Sequence, residues 1–427
     1  MTAKKRSLGL IDAFAIGVNA IVGSGVFSAP TKMHRVMGGA SPLAYVLCAI
    51  VLMPVALCFA ELAASNDSTG GPYLYATKAF GRKVGFIVGW SAWLNAFISW
   101  AANTTLFVKL VGVENPVVAH LVCVGAILVL GAINYVGVRP GASVIQAVVF
   151  GKVTAILCFI GFAIAAAHPG SLGGPLPHGI AGVGSGVYFA LFPFQGFEVV
   201  PVPAGETKNP ERNMPLATIA SLLFAALLYV VVQSLLELSY PDLATTKSET
   251  PLVDAARFIS PSAGTIVFIG SIVSIGGFTA GSALGAPRYA SAIGAQDQIS
   301  GHLAKTHPRF QTPHVAIVVT TLLAAVLTIP FDYEVLVGFS NITVVIQYAL
   351  SCAAVPVLRR QRAQRGEPPP KGFRVPFGMV LPIFGGVGSI VLLYGSDWKE
   401  VLWCAGGLAL GVLVANARAF LPRSARG

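Results

Sequence analysis

The sequence predicts an all-α polytopic membrane protein with twelve transmembrane helices, the first and sixth of them discontinuous. Three observations carry this. Apolar stretches of about spanning length recur along almost the whole chain. Only 11% of the residues are charged and 55% are hydrophobic, far from the roughly 25% charge of soluble domains. Helix breakers fall in the middle of two of the stretches: "IVGSGVF" at 21–27 and "FPFQGFE" at 192–198.

In chain order the expected spans are 9–37, 42–64, 84–110, 117–136, 142–167, 180–204, 215–239, 262–293, 314–330, 333–357, 376–395 and 399–420. No early segment combines a short apolar core with a small-residue cleavage site, so the first span is expected to stay in the mature protein. An even number of spans puts both ends on one side. Lysine and arginine decide which side, because short basic loops are retained in the cytoplasm. Of the 28 basic residues, 21 fall in the termini and even-numbered connections, six on the other side (Lys32, Arg35, Lys109, Lys247, Arg257 and Lys399), and Lys152 inside the fifth span. Both termini are therefore expected to be cytoplasmic, in a cell (inner or plasma) membrane.

The net charge of +11 is spread over these inner loops with no basic domain and no interleaved aromatics, which excludes nucleic acid as the expected partner. All six cysteines (48, 58, 123, 158, 352 and 404) lie in apolar spans without a CxxC or metal-ligand spacing, and read as small buried hydrophobes. The seven histidines sit mostly at span ends and in loops such as "KTHPRF". No metal site, cofactor or catalytic dyad is expected, and an enzyme would need a nucleophile beside a base.

No linker divides the chain, so residues 1–427 read as one transmembrane domain. The two mid-span breaks lie five spans apart. An odd number of spans per unit inverts the second unit relative to the first, which is the inverted-repeat design of secondary transporters. The expected halves are 8–167 and 180–357, with two peripheral helices over 376–420. Taken alone, "GSG" fits close helix packing better than binding; the second break five spans on reverses that and favours a binding site. A break at Gly23 to Gly25 frees the amides of Ser24, Gly25 and Val26 at a positive helix end, which suits a carboxylate. The carbonyls ending the inner half suit an ammonium. The matching ligand is a small zwitterion, a free α-amino acid. In the sixth span Pro193 removes an amide and Gly196 permits unusual backbone.

Four stretches, "GLIDAFAIGVNAIVGSGVFSAP", "ELAASNDSTGGPYLYATKAFGRKVGFIVGW", "GFEVVPVPAGETKNPERNMPLA" and "PRYASAIGAQDQISGHLAKTHPRFQTPHVAI", resemble the amino acid-polyamine-organocation superfamily of permeases, and the sixth-span segment is similar to that of its arginine/agmatine antiporter branch. The resemblance implies a LeuT-like 5+5 inverted repeat plus two peripheral helices. It implies carboxylate contacts at Ser24 and Gly25, with Gly23 beside them, and amino-group contacts at the carbonyls of Ile21, Phe192 and Gln195, with Phe192 as aromatic gate. It further implies pocket residues Ile98, Ser99 and Asn103 in the third span, and Ser274 and Phe278 in the eighth. The antiporter has tryptophan at the positions of Phe192 and Phe278, so an arginine substrate does not carry over.

Lys152 interrupts an apolar span, where a charge costs a few kcal/mol and needs a partner. The resemblance implies that it fills the cation site of sodium-coupled relatives and touches the broken first helix, either exchanging a proton or serving as a fixed tether. Glu198 is a second candidate proton carrier or a carboxylate held by a freed amide. Glu61 and Glu237, near span ends, are expected to be structural. Glu206 and Arg212 are read as an inner-gate pair or as solvated surface. The leading expectation is a Na+-independent secondary transporter working by alternating access, with proton-coupled uptake of neutral amino acids. An amino acid/amine exchanger is the alternative, and a channel or transporter-like sensor the distant one. The expected partners are the amino acid, protons and the lipid bilayer; the oligomeric state is open.

Overall fold

The computed structural model describes residues 8–65, 71–137, 142–168, 172–246, 248–296, 299–368, 370 and 372–419. In chain order the helices are α1 (Leu10–Ile21), α2 (Gly25–Met37), α3 (Pro42–Ala64), α4 (Gly71–Phe80), α5 (Arg82–Leu110), α6 (Pro116–Val136), α7 (Ala142–Ala165), α8 (Gly179–Phe194), α9 (Pro210–Ser239), α10 (Pro251–Ile259), α11 (Pro261–Ala295), α12 (His314–Leu327), α13 (Tyr333–Gln364), α14 (Val380–Val391) and α15 (Trp398–Ala419). Among the described residues there is no strand, only isolated bridges joining Leu8 to Thr207 and Gly39 to Gly173. Prolines open α3, α6, α9 and α10, where the missing amide costs nothing. Asn115 caps α6 by accepting from the amides of Val117 (3.0 Å) and Val118 (3.2 Å).

Among the described residues, nine helices are long and apolar enough to cross a membrane, and α1 with α2 forms a tenth, bent by 48° at its break. The expected spans 314–330 and 376–395 are shorter. The 14 residues of α12 reach only about 21 Å, against roughly 30 Å of hydrocarbon. The stretch around Pro330 to Asp332 leaves the helix, and left-handed backbone at Phe377 (φ 57°) and Gly378 (φ 63°) delays the start of α14. The sixth expected span also departs from a simple broken helix. Past Gln195 the chain makes short 3-10 turns at Phe197–Val199 and Ala204–Glu206. Pro201 and Pro203 supply no amides and three valines crowd the segment, so an α-helix does not resume before Pro210.

The chain resolves into two compact units. The first comprises Met1–Gly81, Val148–Ser274 and Gln347–Gly395; the second comprises Arg82–Ala147, Ile275–Ile346 and Ser396–Gly427. Each draws on both of the sequence halves expected above. In the first unit α3 and α1 pack on α9, α2 on α8, and α14 on α3. Its core includes Ala13, Ala63, Val200, Ala204, Met214 and Ala217, of which the four alanines let backbones approach. In the second unit α5, α6 and α12 pack on one another and α15 covers α5. Trp93 Nε1 donates to Thr320 Oγ1 (3.0 Å) and Trp90 Nε1 to the Gly407 carbonyl (2.9 Å), so two indoles meet their polar obligation inside apolar helices. All six cysteines are free thiols, five buried and Cys158 half-buried.

Candidate functional site

The break in the first span is real. The last helical bond of α1 runs from the Val22 amide to Val18, the Gly23 amide turns back onto the Ile21 carbonyl at 2.8 Å, and α2 opens at Gly25. In the first turn of α2 the Phe27 amide turns back onto the Ser24 carbonyl (3.0 Å), and the amides of Gly25 and Val26 precede the first helical bond, as at any helix start. Glycine at 25 is a steric requirement: a Cβ there would lie 2.6 Å from Pro193 Cα and 2.7 Å from its Cγ. Gly196 is required twice over. Its φ of 122° is closed to side chains, and a Cβ would press into the Ala20 carbonyl. The two breaks, five spans apart in sequence, therefore interlock face to face.

Three side chains satisfy backbone groups that the breaks release. Lys152 Nζ donates to the Val22 carbonyl (2.8 Å) and the Asn19 carbonyl (3.2 Å), at the end of α1. Tyr229 Oη, from α9, lies 2.9 Å from the Ile21 carbonyl and 3.0 Å from the Pro193 carbonyl, and so bridges both breaks. Glu198 Oε2 accepts from the Gly196 amide (2.9 Å) and from Tyr348 Oη (3.0 Å). Lys152 and Glu198 are both buried, and each unpaired group here would cost about 1–3 kcal/mol. The charged groups that interrupt the apolar pattern thus hold the unwound backbone in place. Around them Tyr45, Phe194 and Tyr229 stack on one side, and Phe59, Phe197 and Tyr348 on the other.

The first unit brings together Ile21, Gly23, Ser24, Gly25, Phe192, Gln195, Lys152 and Glu198. Two carbonyls expected to meet an ammonium are already engaged: Ile21 accepts from Gly23 and Tyr229, and Phe192 accepts from the Gln195 amide. Ser274, also of this unit, is buried and its hydroxyl lacks a partner. Ile98, Ser99, Asn103 and Phe278 belong to the second unit. There Asn103 Nδ2 donates to the Ser99 carbonyl (2.7 Å), leaving its buried Oδ1 without a partner, while Ser99 Oγ meets Ser340 Oγ at 2.9 Å.

The carboxylates expected to be structural are tied into networks. Glu61 takes a two-pronged bond from Arg359 (Nε to Oε1, 2.7 Å; Nη2 to Oε2, 2.5 Å) and one from the Val375 amide. Glu237 accepts from Ser41 Oγ (2.5 Å) and Gln233 Nε2 (3.1 Å) and pairs with His34 Nδ1 (2.8 Å). The Glu206 carbonyl accepts from the Leu8 amide, and the Lys208 amide returns to Leu8, pinning the chain ahead of α1 to the connection ahead of α9. Tyr229 and Tyr348 went unnoticed in the sequence. Tyrosine in a span carries little signal by itself; the available clue is that a buried phenol needs a hydrogen-bond partner. Among the described residues no three His, Cys, Asp or Glu converge as metal ligands.

Comparison with known proteins gives a consistent picture. The amino acid permease family profile matches residues 8–402. The chain is 26% identical to the branched-chain amino acid permease BcaP of Bacillus subtilis over 433 residues, covering 96% of this chain and 92% of that one. It is 26% identical to the serine/threonine exchanger SteT of Bacillus subtilis, covering 96% and 95%. It is 29% identical to mouse cationic amino acid transporter 4, covering 85% of this chain but only 61% of the longer relative.

Proposed function

The chain belongs to the amino acid permease family, whose members are transporters rather than enzymes, and from that premise we propose that it carries free neutral amino acids across the membrane by alternating access, without sodium. The observation that carries this is the interlock of the two breaks, Gly25 against Pro193 and Gly196 against Ala20. The first turn of α2 offers amides and a positive helix end to a carboxylate. An ammonium entering between the unwound stretches around 21–24 and 192–195 exchanges with the donors that now engage the Ile21 and Phe192 carbonyls, with Phe192 as the gate between. The names of the three relatives given above share an amino acid and differ in which one, so the side-chain preference must come from this chain. Glu198 is the one acidic side chain at the breaks, and its Oε2 is already engaged by Gly196 and Tyr348, which favours a neutral substrate.

Lys152 replaces a metal cation in this reading. Its ammonium already sits against the carbonyls of Asn19 and Val22, the groups a sodium ion would otherwise balance. Proton coupling follows if Lys152 loads and releases a proton during the cycle; strict exchange follows if it stays a fixed tether. Twelve spans in a LeuT-like 5+5 arrangement, with both termini inside, complete the proposal. Here α12 and α14 serve as short spans. The test is uptake of radiolabelled neutral amino acids into proteoliposomes without sodium, with and without an inward proton gradient, beside counterflow from preloaded vesicles. Accumulation driven by the proton gradient establishes symport, and counterflow alone establishes exchange. Failure of every free amino acid to enter or to counterflow would reject the substrate class.

A further inference from the structure

A cavity of about 200 Å³, separate from the helix breaks, lies in the first unit where α3 and α13 end. Its apolar wall includes Leu62, Val355 and Leu358, and Arg359, Arg362 and Arg374 give it positive charge. The two carboxylates that line it are already matched. Glu61 is saturated by Arg359 and the Val375 amide, and Glu367 faces Arg365 at 3.9 Å. Arg362 gives one donor to the Ser65 carbonyl (3.2 Å), and Arg374 is exposed, with no carboxylate paired to it among the described residues. The cavity has room for roughly six waters at about 30 Å³ each, the scale of one phosphate diester. Three arginines against two carboxylates leave the lining positive, which selects an anion, and guanidinium geometry favours phosphate oxygens.

What lies beside the cavity narrows the source of that phosphate. Arg359 also donates to the carbonyls of Gly378 (2.7 Å) and Val375 (3.1 Å), tying the cavity wall to the segment that leads into α14. From that segment Phe377 (77% exposed), Met379, Val380 and Ile383 project outward as a continuous apolar flank. Phe377 holds left-handed backbone (φ 57°), unusual for a bulky residue. We propose that this cavity binds the phosphate of an anionic phospholipid, with Arg362 and Arg374 on the headgroup and the acyl chains lying along Phe377, Met379, Val380 and Ile383. The arginine-rich connection is the one assigned to the cytoplasmic side, where the leaflet is negative and basic pockets between helices recruit such headgroups. This site is independent of the amino acid reading and stands or falls separately from it.

The test uses the purified full chain in a neutral detergent, reading thermal stability. Phosphatidylglycerol is compared with phosphatidylcholine of the same acyl chains and with inorganic phosphate alone. Phosphatidylglycerol is expected to raise Tm above the phosphatidylcholine value, because a ligand that binds the native state stabilises it. R374Q should lose at least half of that rise, R374K should keep most of it, and R257Q, which alters an exposed arginine of α10, should keep all of it. R374Q changes an exposed side chain, and its Tm without added lipid verifies folding. An equal rise with phosphatidylcholine, or an undiminished rise in R374Q, overturns the site. An equal rise with inorganic phosphate overturns its assignment to lipid.

Discussion

An ammonium donating to two main-chain oxygens, a phenol spanning two more and a glycine lying against a proline are the parts from which the unwound region is built, and each can be removed singly. Lys152→Ala leaves the carbonyls of Asn19 and Val22 without donors, about 1–3 kcal/mol each. Uptake by proteoliposomes is expected to fall roughly tenfold or more, since 1.4 kcal/mol is a factor of about ten. Unchanged transport at every pH would dismiss the cation-substitute role. Tyr229→Phe keeps the ring stacking on Tyr45 and Phe194 but removes the hydroxyl bond to Pro193 and Ile21. A loss of about 1 kcal/mol in stability follows, checked by Tm in detergent. Gly25→Leu drives a branched side chain into Pro193, whose backbone cannot yield. Equilibrium binding of the transported amino acid is expected to weaken more than tenfold while membrane insertion is retained. Normal affinity in that variant would count against the broken-helix site.

At the scale of elements, the fold depends on irregular backbone at two places, and the second is the more constrained. Gly196→Ala imposes a side chain on a φ of 122° and on the Ala20 carbonyl, so a loss of about 1–3 kcal/mol is expected, read as a lower Tm and a shorter half-life in detergent. Stability equal to the parent would mean that the sixth-span turn relaxes freely. Both interruptions were legible in the sequence, because two sets of mid-span breakers five spans apart favour breaks where either alone fits close packing. Lys152 and Glu198 were legible because a charge inside an apolar run must find a partner. The partners themselves were not. Which carbonyls Lys152 reaches depends on how α7 lies against α1, and a phenol such as Tyr229 looks the same in a sequence whether it bridges two breaks or faces lipid. The end of the sixth span was also hidden. Runs of valine and proline satisfy a hydropathy criterion while resisting α geometry, so 197–204 reads as span and folds into short turns. The short α12 and α14 looked longer than they are because apolar residues continue past the helix into the turn before Asp332 and through the left-handed backbone at Phe377 and Gly378.

For the whole molecule, the asymmetry of 21 basic residues against six is the main determinant of orientation, and it makes a direct prediction. A cysteine replacing exposed Glu114 should react with a membrane-impermeant maleimide added to intact cells, whereas one replacing exposed Arg309 should react only after permeabilisation. The opposite pattern would invert the topology. The two compact units draw alternately on both sequence halves, a feature that composition cannot reveal because it concerns which helices keep company rather than which residues are apolar. The unpaired native thiols, five enclosed by packing and Cys158 half-enclosed in an apolar helix, bear on how such motion is measured. Five of them are closed to a water-soluble nitroxide or fluorophore, so with Cys158 replaced, pairs of engineered probes can serve as molecular rulers in the otherwise native protein. Its stability should likewise be indifferent to reducing agents, there being no crosslink for them to cut.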